Sequence, residues 1–251
     1  MTPQPIPTAA SDATAPLASQ QAHDALFALA DPGKAKFLAG FFKTGVGQYG
    51  EGDQFFGIAV PAVRQLARQH RSLPLAECTS LLASPYNEER LLALLILVGW
   101  YQKGDLDIRD KVCQLYLDHR SRVNNWNLVD SSAPYILGPH VLTGDRSVLY
   151  ALAQSPVLWD RRIAVLATFA LIRAHAFADT LKLTEMLLTD GHDLMHKACG
   201  WMLRELGKRD AEVLEKFLRR HQRVMPRTML RYAIERFSPD QRAALLAGTF
   251  R

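Results

Sequence analysis

The chain has little cysteine, and none of it sits in a motif: Cys78, Cys113 and Cys199 are scattered, odd in number and free of any CxxC spacing. That excludes a disulfide framework and a cysteine zinc site, and it fits a reducing compartment where stability comes from an apolar core. Long hydrophobic runs are missing too. The stretch from Leu91 to Trp100 is ten residues long, against the roughly 18 to 20 that a membrane span requires. The N-terminus lacks the cationic region and apolar block of a signal peptide, so a cytoplasmic location with no membrane partner is expected. Glycines gather at Gly45-Val46-Gly47-Gln48-Tyr49-Gly50-Glu51-Gly52-Asp53. With no Gly-Lys-Ser/Thr, no preceding parallel strand and two carboxylates to repel phosphate, this is not a nucleotide loop. It reads as a mobile loop before a helix opened by Pro61.

What the chain does have is apolar content and a charge gradient. Hydrophobic residues make up 48% of the 251 residues, enough to fill the core of a full-sized domain. The net charge is +5, but residues 1–33 hold three Asp and no Lys or Arg, which leaves +8 on the remainder. The last 61 residues carry thirteen Lys or Arg against seven Asp or Glu. Such a gradient favours a polyanion partner, because neutralising phosphates releases condensed counterions; an ordinary solvated basic surface has the same composition.

Residues 1–20 are rich in Pro, Ala, Ser and Thr and read as a disordered leader. Residues 21–251 read as a single all-α domain. The pattern predicts helices over 22–30, 61–70, 75–83, 88–101, 108–117, 125–137, 145–153, 160–174, 178–188, 192–207, 211–221, 227–237 and 239–246. Runs such as Leu91 to Val98 are apolar all round, so they are expected as inner helices between layers. Arg90, Trp126, Arg162 and Lys197 are spaced by 36, 36 and 35 residues. A period near 36 suits stacked helix pairs in a HEAT-like solenoid whose equivalent positions line one concave, basic wall.

On that wall Trp126 and Asp130 are one turn apart on the same helix face. Asp130 follows Leu128-Val129 in a mostly apolar segment where an unpaired carboxylate is costly, so it needs a partner. It either satisfies backbone donors or pairs with Arg162 one repeat later, or it is held there for chemistry. Arg162 is correspondingly either that partner or a phosphate ligand. Gly200 beside Trp201 is expected to give the indole room to project. His192 and His196 share a face but have no third ligand, so no metal site is assigned. No Ser or Cys is placed as a nucleophile by any recognisable motif.

The strings Phe56-Gly57-Ile58-Ala59-Val60-Pro61-Ala62-Val63-Arg64, Asn125-Trp126-Asn127-Leu128-Val129-Asp130, Trp159-Asp160-Arg161-Arg162 and Lys197 to Glu205 resemble, in this order, the AlkD-type DNA alkylation repair glycosylases. The resemblance runs from about residue 25 to 240 and is specific in combination. It implies a HEAT-like repeat enzyme that removes cationic alkylpurines, such as N3-methyladenine and N7-methylguanine, from duplex DNA. It also implies no metal or organic cofactor. By position in the motifs, Asp130 matches the family's catalytic carboxylate, Trp126 and Trp201 match its aromatic residues at the cleft, and Arg162 matches its cleft arginine. Arg64 and Arg204 fall where the family can face the DNA backbone. Asn127 departs from the acidic residue common at its place. A monomer acting on duplex DNA is expected. The competing readings are a non-catalytic binder of branched or damaged DNA and a protein-scaffolding helical repeat.

Overall fold

A computed structural model describes residues 17–250. Most of the expected leader lies outside the described residues, and Ala18 to Gln20 belong to the first helix. Among the described residues there are fifteen α-helices, a 3-10 turn at Arg120–Arg122 and one isolated parallel bridge, Gln54 to Tyr86. The helices are α1 (Ala18–Phe27), α2 (Pro32–Phe41), α3 (Val60–Gln69), α4 (Leu75–Leu82), α5 (Asn87–Lys103), α6 (Leu106–Asp118), α7 (Trp126–Ser132) and α8 (Leu137–Thr143). They continue with α9 (Ser147–Ala153), α10 (Leu158–Arg173), α11 (Ala178–Met186), α12 (Asp193–Gly207), α13 (Ala211–His221), α14 (Arg227–Ala233) and α15 (Pro239–Ala247).

Helices α3, α5, α7, α10, α12 and α14 pack side by side in chain order. A second row covers them: α4 and α6 lie on α5, α9 and α11 on α10, and α13 on α12. Each pair buries its apolar face against the next, which is the construction of a helical-repeat solenoid. The inner position of α5 explains its composition, since Leu91, Leu92, Ala93, Leu94, Ile96 and Leu97 are all buried.

Two departures from the sequence reading have clear causes. The helix expected over 125–137 ends at Ser132 as α7, and α8, which begins at Leu137, has no counterpart in the sequence reading. Pro134 has no N–H to donate and its ring opposes the carbonyl one turn back, so the chain turns there. Helix α2 was not expected because none of its residues is buried, so it shows no core-facing stripe. Its start is local: the Asp31 side chain accepts from Lys34 N at 3.0 Å, and Pro32 stands where a missing N–H costs nothing.

The repeat register also needs correcting. Ser84 Oγ accepts from Tyr86 N (3.0 Å), Ser155 Oγ from Val157 N (3.1 Å) and Asp190 Oδ1 from His192 N (2.8 Å). Within the helix that follows, Arg90 Nη1 donates to Ser84 O (2.8 Å), Arg161 Nη1 donates to Ser155 O (2.9 Å), and His196 Nε2 sits 2.5 Å from Asp190 O. The counterparts of Arg90 are therefore Arg161 and His196. The expected anchors Arg162 and Lys197 fall one place later, level with Asp130: each of these three is the fifth residue of its helix. The charged column running across α7, α10 and α12 is thus Asp130, Arg162, Lys197.

Candidate active site

Helix α7 starts sharply because Asn125 caps it, its Oδ1 accepting from Trp126 N at 2.9 Å. One turn in, Asp130 meets the neighbouring inner helix. Arg162 Nε donates to Asp130 Oδ1 at 2.9 Å and Nη2 donates to Oδ2 at 2.8 Å, a two-pronged pair. The remaining Nη1 donates to Leu194 O at 2.7 Å, so one guanidinium ties α7, α10 and the first turn of α12 together. The Arg162 side chain is only 6% exposed, whereas that of Asp130 is 20% exposed. The Asp130 side chain is therefore partly open to solvent although both of its oxygens are held by Arg162. Burial pushes the Asp130 carboxyl up from its ordinary pKa, and Arg162 opposes that shift. Of the roles considered for Arg162, the structure gives it that of ion-pair partner.

The Trp126 indole is half-buried. Phe42 stacks on it with ring centroids 4.9 Å apart and planes 19° apart, and the Phe41 edge approaches at 5.9 Å. These rings, with Phe37, Phe55 and Asn127, line a cavity of about 470 Å³. The sequence did not single out Phe42 or Asn125. A Phe pair beside a glycine-rich stretch reads as ordinary core, and an Asn before an apolar run reads only as a cap.

Trp201 is half-buried on α12, two turns beyond Leu194 on the same helix face, and its Nε1 donates to Glu205 at 3.1 Å. Gly200 has a different purpose from the one expected. A Cβ there would come within 2.5 Å of both Met229 O and Tyr232 Cβ, so the glycine lets α14 press against α12. Lys197 is paired with Asp193 at 2.8 Å.

The two arginines assigned to the DNA backbone differ. Arg64 is exposed on α3 and rims a groove of about 780 Å³ together with Arg68, Arg71 and Lys103; the groove reaches Ser131, next to Asp130. Arg204 is ion-paired with Glu235, and its Nε lies 3.8 Å from Glu205. It is a matched charge, unlike Arg64. His192 caps α12, its Nδ1 accepting from Leu194 N at 3.1 Å, and His196 is occupied at Asp190 O.

An array of helix pairs whose inner row holds a carboxylate and an arginine on adjacent helices defines a helical-repeat protein with a polar site set in its inner wall. The chain belongs to the DNA alkylation repair enzyme family, whose model matches residues 22–237. It is similar to a predicted DNA alkylation repair enzyme from Enterococcus faecalis, whose solved structure aligns with a TM-score of 0.68 at 17% identity. That alignment covers 84% of this chain and 97% of the other. No curated protein matches. The family gives the protein a role in DNA repair, with DNA as its partner.

Proposed function

We propose that the protein hydrolyses the N-glycosidic bond of cationic alkylpurines, N3-methyladenine and N7-methylguanine, in duplex DNA. The observation that carries this reading is Asp130, a carboxylate left one-fifth exposed on an inner helix with both of its oxygens held by Arg162. An alkylated purine is already positive and leaves without a strong general acid. The demand falls on the sugar, where positive charge grows as the bond breaks, and on water that must reach C1′. A fixed carboxylate beside the sugar serves both needs.

Arg162 makes the carboxylate compatible with DNA. The pair is neutral overall, which limits repulsion of phosphates, while the partly exposed Asp130 presents negative charge at short range. The indoles of Trp126 and Trp201 suit the cationic nucleotide, each contact contributing about 0.5 to 2 kcal/mol. Arg64, Arg68, Arg71 and Lys103 supply the unspecific hold on the backbone. The test is to incubate the purified protein with methylated duplex DNA and chromatograph the released bases beside a known glycosylase. Release of N7-methylguanine or N3-methyladenine is expected; binding without any release favours a non-catalytic binder of damaged DNA.

A further inference from the structure

The glycine-rich stretch is the one motif singled out in the sequence that the proposed chemistry leaves unused. It is not a free loop, because it ends in Asp53, a side chain 2% exposed at the heart of a polar network. Asp53 Oδ1 accepts from Arg90 Nη2, and Oδ2 accepts from both Asn87 Nδ2 and Asn125 Nδ2 at 2.9 Å. Asn127 Nδ2 donates in turn to Asn87 Oδ1 at 2.7 Å.

The chemistry of these groups fixes their orientation. A carboxylate only accepts, so it draws the amide nitrogens of Asn125 and Asn87 toward itself. That leaves Asn125 Oδ1 for Trp126 N and Asn87 Oδ1 for Asn127. One carboxylate thereby sets the residues on both sides of Trp126. The same stretch supports the indole from behind: Phe42, just before the glycines, stacks on Trp126, and Phe55, just after Asp53, stacks on Phe42 at 4.9 Å. Gly50 is required at the crossing, since a Cβ there would lie 2.3 Å from Phe42 O and 3.1 Å from Asn125 Nδ2.

We infer that the segment from Phe42 to Phe55 is a positioning strap for Trp126, with Asp53 orienting the Asn125 cap and Phe42 backing the indole. Asp53, Asn125 and Phe42 are positioning residues, acting through Trp126. The consequence for base release rests on the glycosylase reading; the consequence for Trp126 does not. Asn127, where the family pattern has an acid, fits the same device: its amide both donates to and accepts from Asn87, which a carboxylate does not do.

The experiment labels the four tryptophans of the full chain with 5-fluorotryptophan and follows them by fluorine NMR, the Trp126 signal being assigned with Trp126→Phe. Two variants are compared with wild type: Asn125→Ser, which keeps a capping oxygen but replaces the amide that reaches Asp53 with a shorter hydroxyl, and Gly50→Ala, which pushes on the strap. Each is expected to move or broaden the Trp126 signal and leave those of Trp100 and Trp201 in place; the Trp159 signal, whose ring meets Tyr49 of the strap at 6.0 Å, stays in place in Asn125→Ser and moves with Gly50→Ala. Single-turnover base release should slow at least about fivefold, since small misplacements of a contact group carry large rate costs, while affinity for undamaged duplex stays unchanged. A Trp126 signal that does not move in either folded variant overturns the inference. So does a signal that moves while a release rate measurable in wild type stays the same. If wild type releases no base, the glycosylase reading fails, and the NMR signal alone decides the strap.

Discussion

Replacing Asp130 by Asn separates charge from shape at the point where the chemistry is placed. The amide keeps the size of the side chain and one acceptor for Arg162, but removes the negative charge that the proposed chemistry sets against the deoxyribose. With about half a unit of positive charge on the sugar roughly 4 Å away and an effective dielectric near 20, Coulomb's law gives about 2 kcal/mol of lost stabilisation. That corresponds to roughly a 30-fold slower release of N7-methylguanine under single-turnover conditions. Breaking a buried pair by removing one partner ordinarily costs about 3 to 5 kcal/mol. Here the cost is expected to be smaller, within about 1 kcal/mol, the scale of one mismatched guanidinium N–H. The reason lies in the direction of the Asp130 shift: burial outweighs the pull of Arg162, so the fold does not favour the charged form. Affinity for undamaged duplex should hold or rise, since a negative charge near phosphates is gone. The assay is base release by chromatography on protein whose folded fraction is known from urea melts. A folded Asp130→Asn that releases base as fast as an active wild type refutes the reasoning and leaves Asp130 as a structural partner of Arg162.

Because the folded pKa of Asp130 is raised, the acid limb of kcat/KM for wild type should lie above the ordinary aspartate value of about 3.9 and be missing in Asp130→Asn. The same direction fixes the sign for stability: the contribution of this group is fully present below the ordinary value and is lost as pH rises through the raised one. Urea melts across that window should show wild type falling relative to Asp130→Asn. Arg162→Met strands a mostly buried carboxylate and frees Leu194 O, which should destabilise by about 2 kcal/mol, below the usual range of such losses because Asp130 is partly exposed and can take a proton. The double variant Asp130→Leu/Arg162→Met should recover much of that stability in thermal melts while releasing base at least about 30-fold more slowly than wild type; continued loss of stability would show that the pair is a net structural asset. Duplex affinity should fall steeply with salt, and Arg64→Ala should reduce the magnitude of the log–log slope by about one. Arg204→Ala, whose charge Glu235 already matches, should leave the slope unchanged in anisotropy titrations.

The inner helices were legible in the sequence because burial leaves a direct mark: α5 and α10 are apolar on every side, and no strand former of that length alternates. Helix α2 left no such mark, since it buries nothing, and its only signals were Asp31 and Pro32 at its start. The pairing of Asp130 with Arg162 was among the sequence readings because a carboxylate in an apolar segment must be satisfied from a neighbouring repeat. The 36-residue register is off by one place at Arg162 and Lys197 and by three at Trp126, the first residue of its helix, because residue type does not mark the repeat, whereas linker geometry does. Ser84, Ser155 and Asp190 cap the chain turns, and the residues that close back on their carbonyls are Arg90, Arg161 and His196. The network around Asp53 was out of reach for a different reason. It joins a loop to two inner helices far along the chain, and nothing in the local pattern of Asp53, Asn87 or Asn125 announces a shared partner.

The corrected register gives Asp130 a meaning that its local sequence lacks. Its counterpart in α5, the fifth residue of that helix, is Leu91, which is 2% exposed and belongs to the apolar core. The repeat itself is therefore satisfied by an aliphatic side chain at this place. Putting an acid there, and an arginine at the same place in the next inner helix, costs desolvation of two ions that their mutual attraction only roughly offsets. An apolar pair of similar volume often does as well or better, by about 1 to 4 kcal/mol. Stability alone thus gives no reason for the pair. Nor are the two ends alike, the arginine side chain being 6% exposed and the acid 20%. The more open end is the acid, one turn from Trp126 on the same helix and next in the chain to Ser131 of the arginine-rimmed groove. That is the arrangement a cationic nucleotide on a polyanionic backbone would require.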